Sequence, residues 1–517
     1  MKKLFKFLTS RIMLLAIVFI IQISLLVYLI LSFQRNFVYV YTLNIIISFA
    51  FTIMVVNTDV NPSFKLGWLI PIWIFPLFGA VFYLFFRRNR FVRAQQRRMD
   101  TISSSFNNHI LSNGNVIDEL EGDSKSIATY INTTAHAPVF SKTSSKYLKN
   151  GEVFFEYLME DLKNAKDYIF LEFFIIEEGY MFNNILDVLE QKVKEGVDVR
   201  ILYDDFGCIT KLSRRYYKKL EEKGIKVQVF NKIKVLPMPR HNNRDHRKIV
   251  VIDGKIAYTG GFNLADEYMN KIQRFGYWKD TGIRVTGDSV WSFTIMFLSI
   301  WELYDDNELD YKYYFEKTVP DVSENEGYCQ PYTDSPLDDV PVGKGAYMQL
   351  VSRSRKYFYI TTPYLIPSDD MIDSLRDAAL SGVDVRIMTP GIPDKKLVYM
   401  VTRTYYKTLL EAGVRIFEYT PGFLHAKSCV SDDNHCVIGS INLDFRSLYL
   451  HFENGAMYYD SHIISDLKED FLEMQSQSQE IFSRQLENQN LSRKILSVIL
   501  KVFSPMIWWK EIIWSIR

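Results

Sequence analysis

Two stretches of this chain set a histidine, a lysine and an aspartate at the same intervals: His246, Lys248 and Asp253 in one, His425, Lys427 and Asp432 in the other. Chance would supply roughly 0.03 such HxKxxxxD matches in a chain of this composition, so the pair marks a repeat. A glycine follows fourteen positions after each histidine (Gly260, Gly439) and an asparagine seventeen after (Asn263, Asn442). Each copy thus offers one imidazole, one ammonium and one amide. That is half of what displacing an alcohol from a phosphodiester demands, namely a nucleophile, an acid for the leaving oxygen, and cationic or hydrogen-bonding groups for the remaining oxygens. Two copies meeting at one place complete the set. One imidazole attacks phosphorus and forms a phosphohistidine; the other, with an ordinary pKa of about 6.5, protonates the leaving oxygen and then takes the proton of the incoming alcohol. Lys248, Lys427, Asn263 and Asn442 hold the charged phosphate oxygens, so this chemistry calls for no metal and no cofactor.

The elements that must position these groups are legible around them. The run Arg247–Ile252 is apolar and β-branched, Asp253-Gly254 is a hairpin turn signal, and Lys255–Thr259 returns as a second strand. Residues two apart on a strand point to the same side, which aims His246 with Lys248 and His425 with Lys427. Asp253 and Asp432 sit at the turns and are expected to serve hairpin geometry. Asp280 and Glu453, further along, are placed to accept a hydrogen bond from the far nitrogen of each catalytic histidine and fix its tautomer. The other histidines, His241, His435 and His451 among them, read as structural. Upstream of the motifs the repeat continues: Tyr168-Ile-Phe-Leu-Glu and Gly196-Val-Asp-Val-Arg-Ile in the first copy answer to Tyr357-Phe-Tyr-Ile-Thr and Gly382-Val-Asp-Val-Arg-Ile in the second. Strands alternating with helices predict two tandem α/β domains, each a largely parallel sheet covered by helices on both faces.

At 517 residues, 48% of them hydrophobic, the chain has apolar sequence beyond the needs of two cores. The surplus lies at the N-terminus, where segments near 12–33, 37–56 and 68–86 are each long enough to cross a bilayer, making residues 1–98 a membrane region. A tether over 99–135 then leads into a first domain at 136–319, a linker at 320–345 and a second domain at 346–480. The tail 481–517, with Lys494, Lys501 and Trp508, Trp509 and Trp514, reads as an amphipathic helix whose apolar face lies either in a membrane interface or against the catalytic domain. The net charge of +1 says little about partners, but Arg87, Arg88, Arg90, Arg93, Arg97 and Arg98 cluster at the membrane edge and favour a cytoplasmic catalytic region. A second basic set, Lys2, Lys3, Lys6 and Arg11, conflicts with this, because three full crossings put the two sets on opposite sides. Cys208, Cys329, Cys429 and Cys436 lack metal-ligand spacing and read as free thiols.

The motif pair with its trailing GG/GS-x-N resembles the signature of the phospholipase D superfamily. The flanking stretches RDHRKIVVIDGKIAYTGGFNLADEY, TTPYLIPSDDMI, GVDVRIMTPGIPDKKLVY and PGFLHAKSCVSDD with GSINLDFRSLYLHFE are similar to bacterial cardiolipin synthases. The resemblance runs from about Asn61 to about residue 480. It implies two phospholipase D-like domains related by a pseudo-twofold, and transfer of a phosphatidyl group from one phosphatidylglycerol to another with release of glycerol. It also implies that His246 is the nucleophile and His425 the acid and base. Asp245 departs from the family, standing where asparagine is common, as does the extra first hydrophobic segment. A phosphodiesterase for nucleic acid would predict a basic groove, which the charge balance and membrane segments argue against; phosphatidylglycerol and membrane lipids are the expected partners. A non-catalytic scaffold would tolerate erosion of one motif, and both are intact. Within the enzyme class the rival acceptors are water, giving phosphatidic acid, and another alcohol such as serine or ethanolamine.

Overall fold

The computed structural model describes residues 11–31, 37–58, 62–87, 96–99, 101–102, 116–233, 243–305, 309–318, 326–337 and 340–487. They belong to two compact units, one holding the N-terminal helices and the other both motif repeats. Lys2, Lys3, Lys6, Arg88, Arg90, Arg93, His241 and the expected amphipathic tail from Lys494 to Trp514 lie outside the described residues.

In the larger unit the first repeat supplies β1 (Thr143–Leu148), β2 (Tyr168–Phe173), β3 (Asp198–Asp204), β4 (Lys226–Phe230), β5 (Arg244–Asp245), β6 (Lys248–Ile252), β7 (Ile256–Gly260), β8 (Tyr277–Lys279) and β9 (Gly282–Gly287). The second supplies β10 (Tyr328–Asp334), β11 (Tyr357–Thr361), β12 (Asp384–Pro390), β13 (Arg415–Tyr419), β14 (Gly422–Leu424), β15 (Ser428–Ser431), β16 (His435–Gly439), β17 (His451–Tyr459) and β18 (Ser478–Ile481). One sheet runs β1-β9-β7-β6-β2-β3-β4 and the other β10-β17-β16-β15-β11-β12-β13-β18, the same order with one strand added. Along these two paths β2-β3-β4 and β11-β12-β13 are parallel, whereas the motif hairpins β6-β7 and β15-β16 and their outer neighbours pair antiparallel. The sheets are therefore mixed, not largely parallel as the alternation of strands and helices suggested. Hairpin returns need only a short turn, whereas each parallel pair needs a helical crossover.

Helix Val290–Tyr304 is apolar nearly all round, and a helix of that kind must be buried. It packs on β6, β7 and β9 of the first sheet and on β10 of the second, so it forms core between the repeats. Within the stretch expected to be a tether, helix Gly122–Ala135 buries Ser124, Ile127, Ala128 and Ile131. Gln330 on β10 donates to the carbonyls of Ala128 and Ala137, and Ser124 Oγ lies 2.8 Å from His435 Nε2.

Behind the first motif lies a buried ionic cluster. Arg247 Nη2 is 2.5 Å from Glu172 Oε1 on β2, and its Nε is 3.4 Å from Asp245 Oδ1, with all three side chains at most 1% exposed. Burial pushes the Glu172 carboxyl well above its usual range, and Arg247 opposes that rise.

The smaller unit begins with helices Arg11–Leu31 and Phe37–Val56. Val38–Val56 is long and apolar enough to cross a membrane. Its Val38, Tyr39, Leu43, Ile46 and Phe49 side chains are exposed, a surface suited to lipid. The third expected crossing, 68–86, is not one helix. It breaks at Phe75 into Pro62–Ile74 and Pro76–Arg87, and the halves double back on each other. The Trp68 ring lies 5.6 Å from Phe82 and 5.3 Å from Tyr83, and a Cβ on Gly79 would stand 2.5 Å from the Pro71 carbonyl. Pro76 carries no N–H with which to continue the first half. The backbone groups freed at the break find side chains from the other helices: Gln22 Oε1 accepts from Phe78 N at 2.7 Å, and Ser48 Oγ donates to Ile72 O at 3.3 Å. At 1.5 Å per residue each half spans about 18–20 Å, short of the hydrocarbon thickness of about 30 Å.

Removing one member of a buried ion pair leaves the other charge uncompensated. Arg247→Ala is expected to cost about 3–5 kcal/mol in denaturant unfolding of the purified protein. The Arg247→Ala/Glu172→Ala double variant should recover part of that loss, and strictly additive losses would contradict the coupling.

Candidate active site

The two motif histidines are placed by short strands that pair across the repeats. β5 runs parallel to the start of β17 and ends at Asp245, and the next residue, His246, donates its backbone N–H to Phe452 O at 2.9 Å. β14 runs parallel to β8 and ends at Leu424, and His425 then donates to Lys279 O at 2.7 Å. Glu453 follows Phe452 and Asp280 follows Lys279, so this register sets each carboxylate against the histidine of the other repeat. His246 Nδ1 lies 3.0 Å from Glu453, and His425 Nδ1 lies 2.6 Å from Asp280. A carboxylate only accepts, so each Nδ1 carries the proton and each Nε2 keeps its lone pair.

Both imidazoles and both ammoniums are buried. Desolvation first, then Lys248, Lys427 and His425, hold the His246 pKa well below the usual imidazole range. Desolvation and Lys427 lower His425 to about 4, against the raising effect of Asp280. The ordinary value near 6.5 expected for one of these imidazoles is thus corrected: burial and the neighbouring lysines favour the neutral form of both histidines at pH 7. Desolvation also brings Lys248 down to about 8 and Lys427 to about 7. Each lysine folds back along its strand to donate to the carbonyl of its own motif histidine, Lys248 to His246 and Lys427 to His425, leaving further N–H bonds for a ligand.

The other expected residues divide. Asn442 is buried, and among the described residues its Oδ1 has no hydrogen-bond partner. Asn263 is more committed, since its Oδ1 accepts from Ile175 N at 3.0 Å and its Nδ2 donates to Tyr268 Oη at 2.6 Å. Asp253 and Asp432 both adopt φ 54° at their turns. Asp253 accepts the backbone N–H groups of Lys166, Asp167 and Tyr168, and Asp432 those of Arg355, Lys356 and Tyr357. Each aspartate of the signature thereby ties its hairpin to the start of the neighbouring parallel strand, β2 or β11.

Sequence reasoning passed over several neighbours. Ser440 contributes more than a small turn residue, because its hydroxyl donates to Glu453 Oε2 at 2.5 Å. Its counterpart Gly261 is required for space: a Cβ there would stand 1.9 Å from Asp280 Oδ1. Trp278, Tyr268 and Phe423 enclose the His425 ring at 5.3, 5.4 and 5.8 Å, and Phe174 lies 4.9 Å from His246. His451, read as structural, packs 5.4 Å from His246. The available signal was the repeat itself, since Trp278 and His451 each stand two residues before the orienting carboxylate. Among the described residues, His246, His451 and Glu453 also form a group able to hold a metal ion, which their separation in sequence concealed.

Comparison with known proteins agrees with this geometry. A family model described as "Cardiolipin synthase, PLD-like domain" matches residues 158–273 and 347–475, one segment in each repeat, and "Phospholipase_D-nuclease N-terminal" matches 46–88. An uncharacterized protein of Streptococcus mutans is 40% identical over 87% of this chain and 98% of its own length. Cardiolipin synthase 2 of Bacillus anthracis is 34% identical over 86% of this chain and 87% of its own. Cardiolipin synthase of Staphylococcus aureus is 33% identical over 91% and 96%. Among solved structures, phosphatidylserine synthase of Haemophilus influenzae superposes with a TM-score of 0.55 at 15% identity, covering 76% of this chain and all of that one, a likeness of fold. With two phospholipase D-like repeats and curated relatives matched over most of its length, the chain belongs to the cardiolipin synthase family.

Proposed function

We propose that this protein is a phosphatidyltransferase that joins two phosphatidylglycerol molecules into cardiolipin and glycerol. The observation that carries the reading is the exchange of orienting carboxylates, which makes one buried site out of two half-sites. His246 Nε2 attacks the phosphorus of the first lipid. The bond to the headgroup glycerol breaks, and the departing oxygen takes a proton from His425 Nε2. A hydroxyl of the second lipid then gives its proton to His425 and attacks phosphorus, the P–N bond breaks, and neutral His246 is restored. Two phosphodiesters enter and two leave, so no external energy source is needed. Lys248, Lys427, Asn442 and the remaining amide hydrogen of Asn263 hold the phosphate oxygens. Glu453 stabilises the positive charge that forms on His246. An anionic diester entering the site offsets the field that keeps His425 unprotonated, so His425 gains its proton as the lipid binds. Aromatic walls exclude water, which favours transfer over hydrolysis.

The N-terminal unit supports a multi-pass membrane protein with two crossings, Arg11–Leu31 and Phe37–Val56, followed by a helical hairpin that enters and leaves on one face. Broken backbone at membrane depth is tolerated where protein satisfies it, the part played by Gln22 and Ser48. An even number of crossings puts the basic N-terminus and the Arg87–Arg98 cluster on the same side, and the basic bias makes that side cytoplasmic.

Purified protein given only phosphatidylglycerol should release cardiolipin and glycerol in equal amounts, and added glycerol should reverse the reaction. His246→Ala and His425→Ala should each abolish both products. Phosphatidic acid as the main product by mass spectrometry would refute the acceptor.

The pH dependence of kcat/KM tests the electrostatics, since it reports the free enzyme. His246 must be neutral, and its lowered pKa keeps it so well below pH 6.5. His425 must be protonated, and its value of about 4 makes that form scarcer as pH rises. Lys427 at about 7 and Lys248 at about 8 lose charge next. kcat/KM should therefore climb steadily as pH falls from 8 towards 5; a bell with an acid limb near the ordinary imidazole value would contradict the assignment.

For topology, single cysteines at Thr9 and Ser104, in a variant lacking the four native ones, should both resist a membrane-impermeant thiol reagent in intact cells. Both should react after permeabilisation. Labelling of one site alone in intact cells would restore three full crossings.

A further inference from the structure

The imidazole of His451 has no part in the proposed transfer chemistry, yet it is 7% exposed beside His246, and among the described residues neither ring nitrogen has a partner within 3.5 Å. Its Nδ1 lies 3.6 Å from Glu453 Oε1, and the same oxygen is 3.0 Å from His246 Nδ1. His246 Nδ1 is equally near the other carboxylate oxygen, Oε2, at 3.0 Å, and Ser440 donates to that oxygen too, so among the described residues Oε1 is the oxygen without a hydrogen-bond partner. One donor atom each from His246, His451 and Glu453 lies within 4.8 Å of the others. In a tetrahedral zinc site, bonds of about 2.0–2.1 Å set neighbouring donors about 3.3 Å apart. The two distances to Oε1 bracket that spacing, and drawing the two imidazole donors together from within 4.8 Å would complete a three-ligand set. Two imidazoles and one carboxylate with an open fourth position suit a zinc-type ion, whereas magnesium and calcium prefer oxygen donors. The position matching His451 in the other repeat is Trp278, which offers no lone pair, so the set is peculiar to the His246 side.

We propose that His246, His451 and Glu453 form a binding site for one zinc-type transition-metal ion, and that its occupancy switches the enzyme off. A metal on Nδ1 uses the lone pair of that nitrogen and leaves the single imidazole proton of His246 on Nε2. No proton is lost overall, but Nε2–H has no lone pair for phosphorus. The ion also draws Glu453 away from its charge-stabilising role. Inhibition rests on the transferase reading of His246; binding of the metal does not.

The test uses full-length protein in detergent, stripped with a chelator. Cobalt(II) titration should give the visible absorption of a tetrahedral nitrogen–oxygen site at one ion per chain, and zinc should displace it. Cardiolipin formation should fall to a few percent of its starting rate as one equivalent of zinc binds, return on chelation, and be unaffected by magnesium at that concentration. His451→Gln should keep basal activity and lose the cobalt absorption. Its zinc affinity should fall by more than the about 10–100-fold that loss of a mere supporting hydrogen bond costs a metal site. No cobalt absorption in the native protein, an unchanged spectrum in His451→Gln, or equal zinc inhibition of both would overturn the site. Cobalt and zinc binding without inhibition would overturn the switch and count against His246 as nucleophile, leaving the metal site itself standing.

Discussion

Everything at the catalytic centre depends on a trade between the repeats: each lends the other a carboxylate and a stretch of backbone. β5 and β14 are only two and three residues long, yet each runs directly into a catalytic histidine and pairs with the strand that carries the partner's orienting acid. The hydrogen bonds His246 N to Phe452 O and His425 N to Lys279 O fix the register, and a slip of one residue would turn Glu453 or Asp280 to the opposite side. Neither repeat can hold its own histidine in the reactive tautomer. The core helix Val290–Tyr304, packed on strands of both sheets, keeps the two halves in the relation this exchange requires.

That arrangement concentrates like charge in a dry place, and the consequences follow from electrostatics. Two ammoniums beside two imidazoles, all desolvated, drive all four groups towards their neutral forms. Asp280 and Glu453 offset part of that field. An anionic group entering between these residues would complete the balance, the electrostatic basis of the proposed phosphodiester chemistry. The two halves are not equivalent in this respect: Ser440 donates to Glu453, whereas Gly261 only makes room for Asp280. Carboxylate support of this kind is consistent with the nucleophile role proposed for His246.

In the N-terminal unit the governing constraint is the cost of leaving buried backbone groups unpaired. A proline at position 76 ends one helix and begins another, and the polar side chains of Gln22 and Ser48 in the first two helices meet the resulting free groups. Two polar residues inside otherwise apolar helices thus acquire a reason.

The amino-acid sequence by itself determined the candidate site groups and their duplication, because histidine, lysine and turn aspartate lie within eight residues of one another and their intervals survive in both repeats. It determined the α/β elements through apolar periodicity, and it marked the membrane region by composition. Asp253 and Asp432 were legible as hairpin residues, although the six backbone N–H groups they collect were not. What only the tertiary structure decided involves groups far apart in the chain. Asp280 and Glu453 were recognisable as orienting acids, but which histidine each serves depends on strand pairing across more than a hundred residues. The same holds for the lowered pKa values, which depend on burial and on lysines of the opposite repeat, and for the approach of His451 to His246. The 68–86 stretch is apolar enough for a crossing, and hydropathy is blind to a chain reversal whose backbone is satisfied by other helices. Local spacing records which groups a chain carries; distance, field and desolvation arise only when remote segments meet.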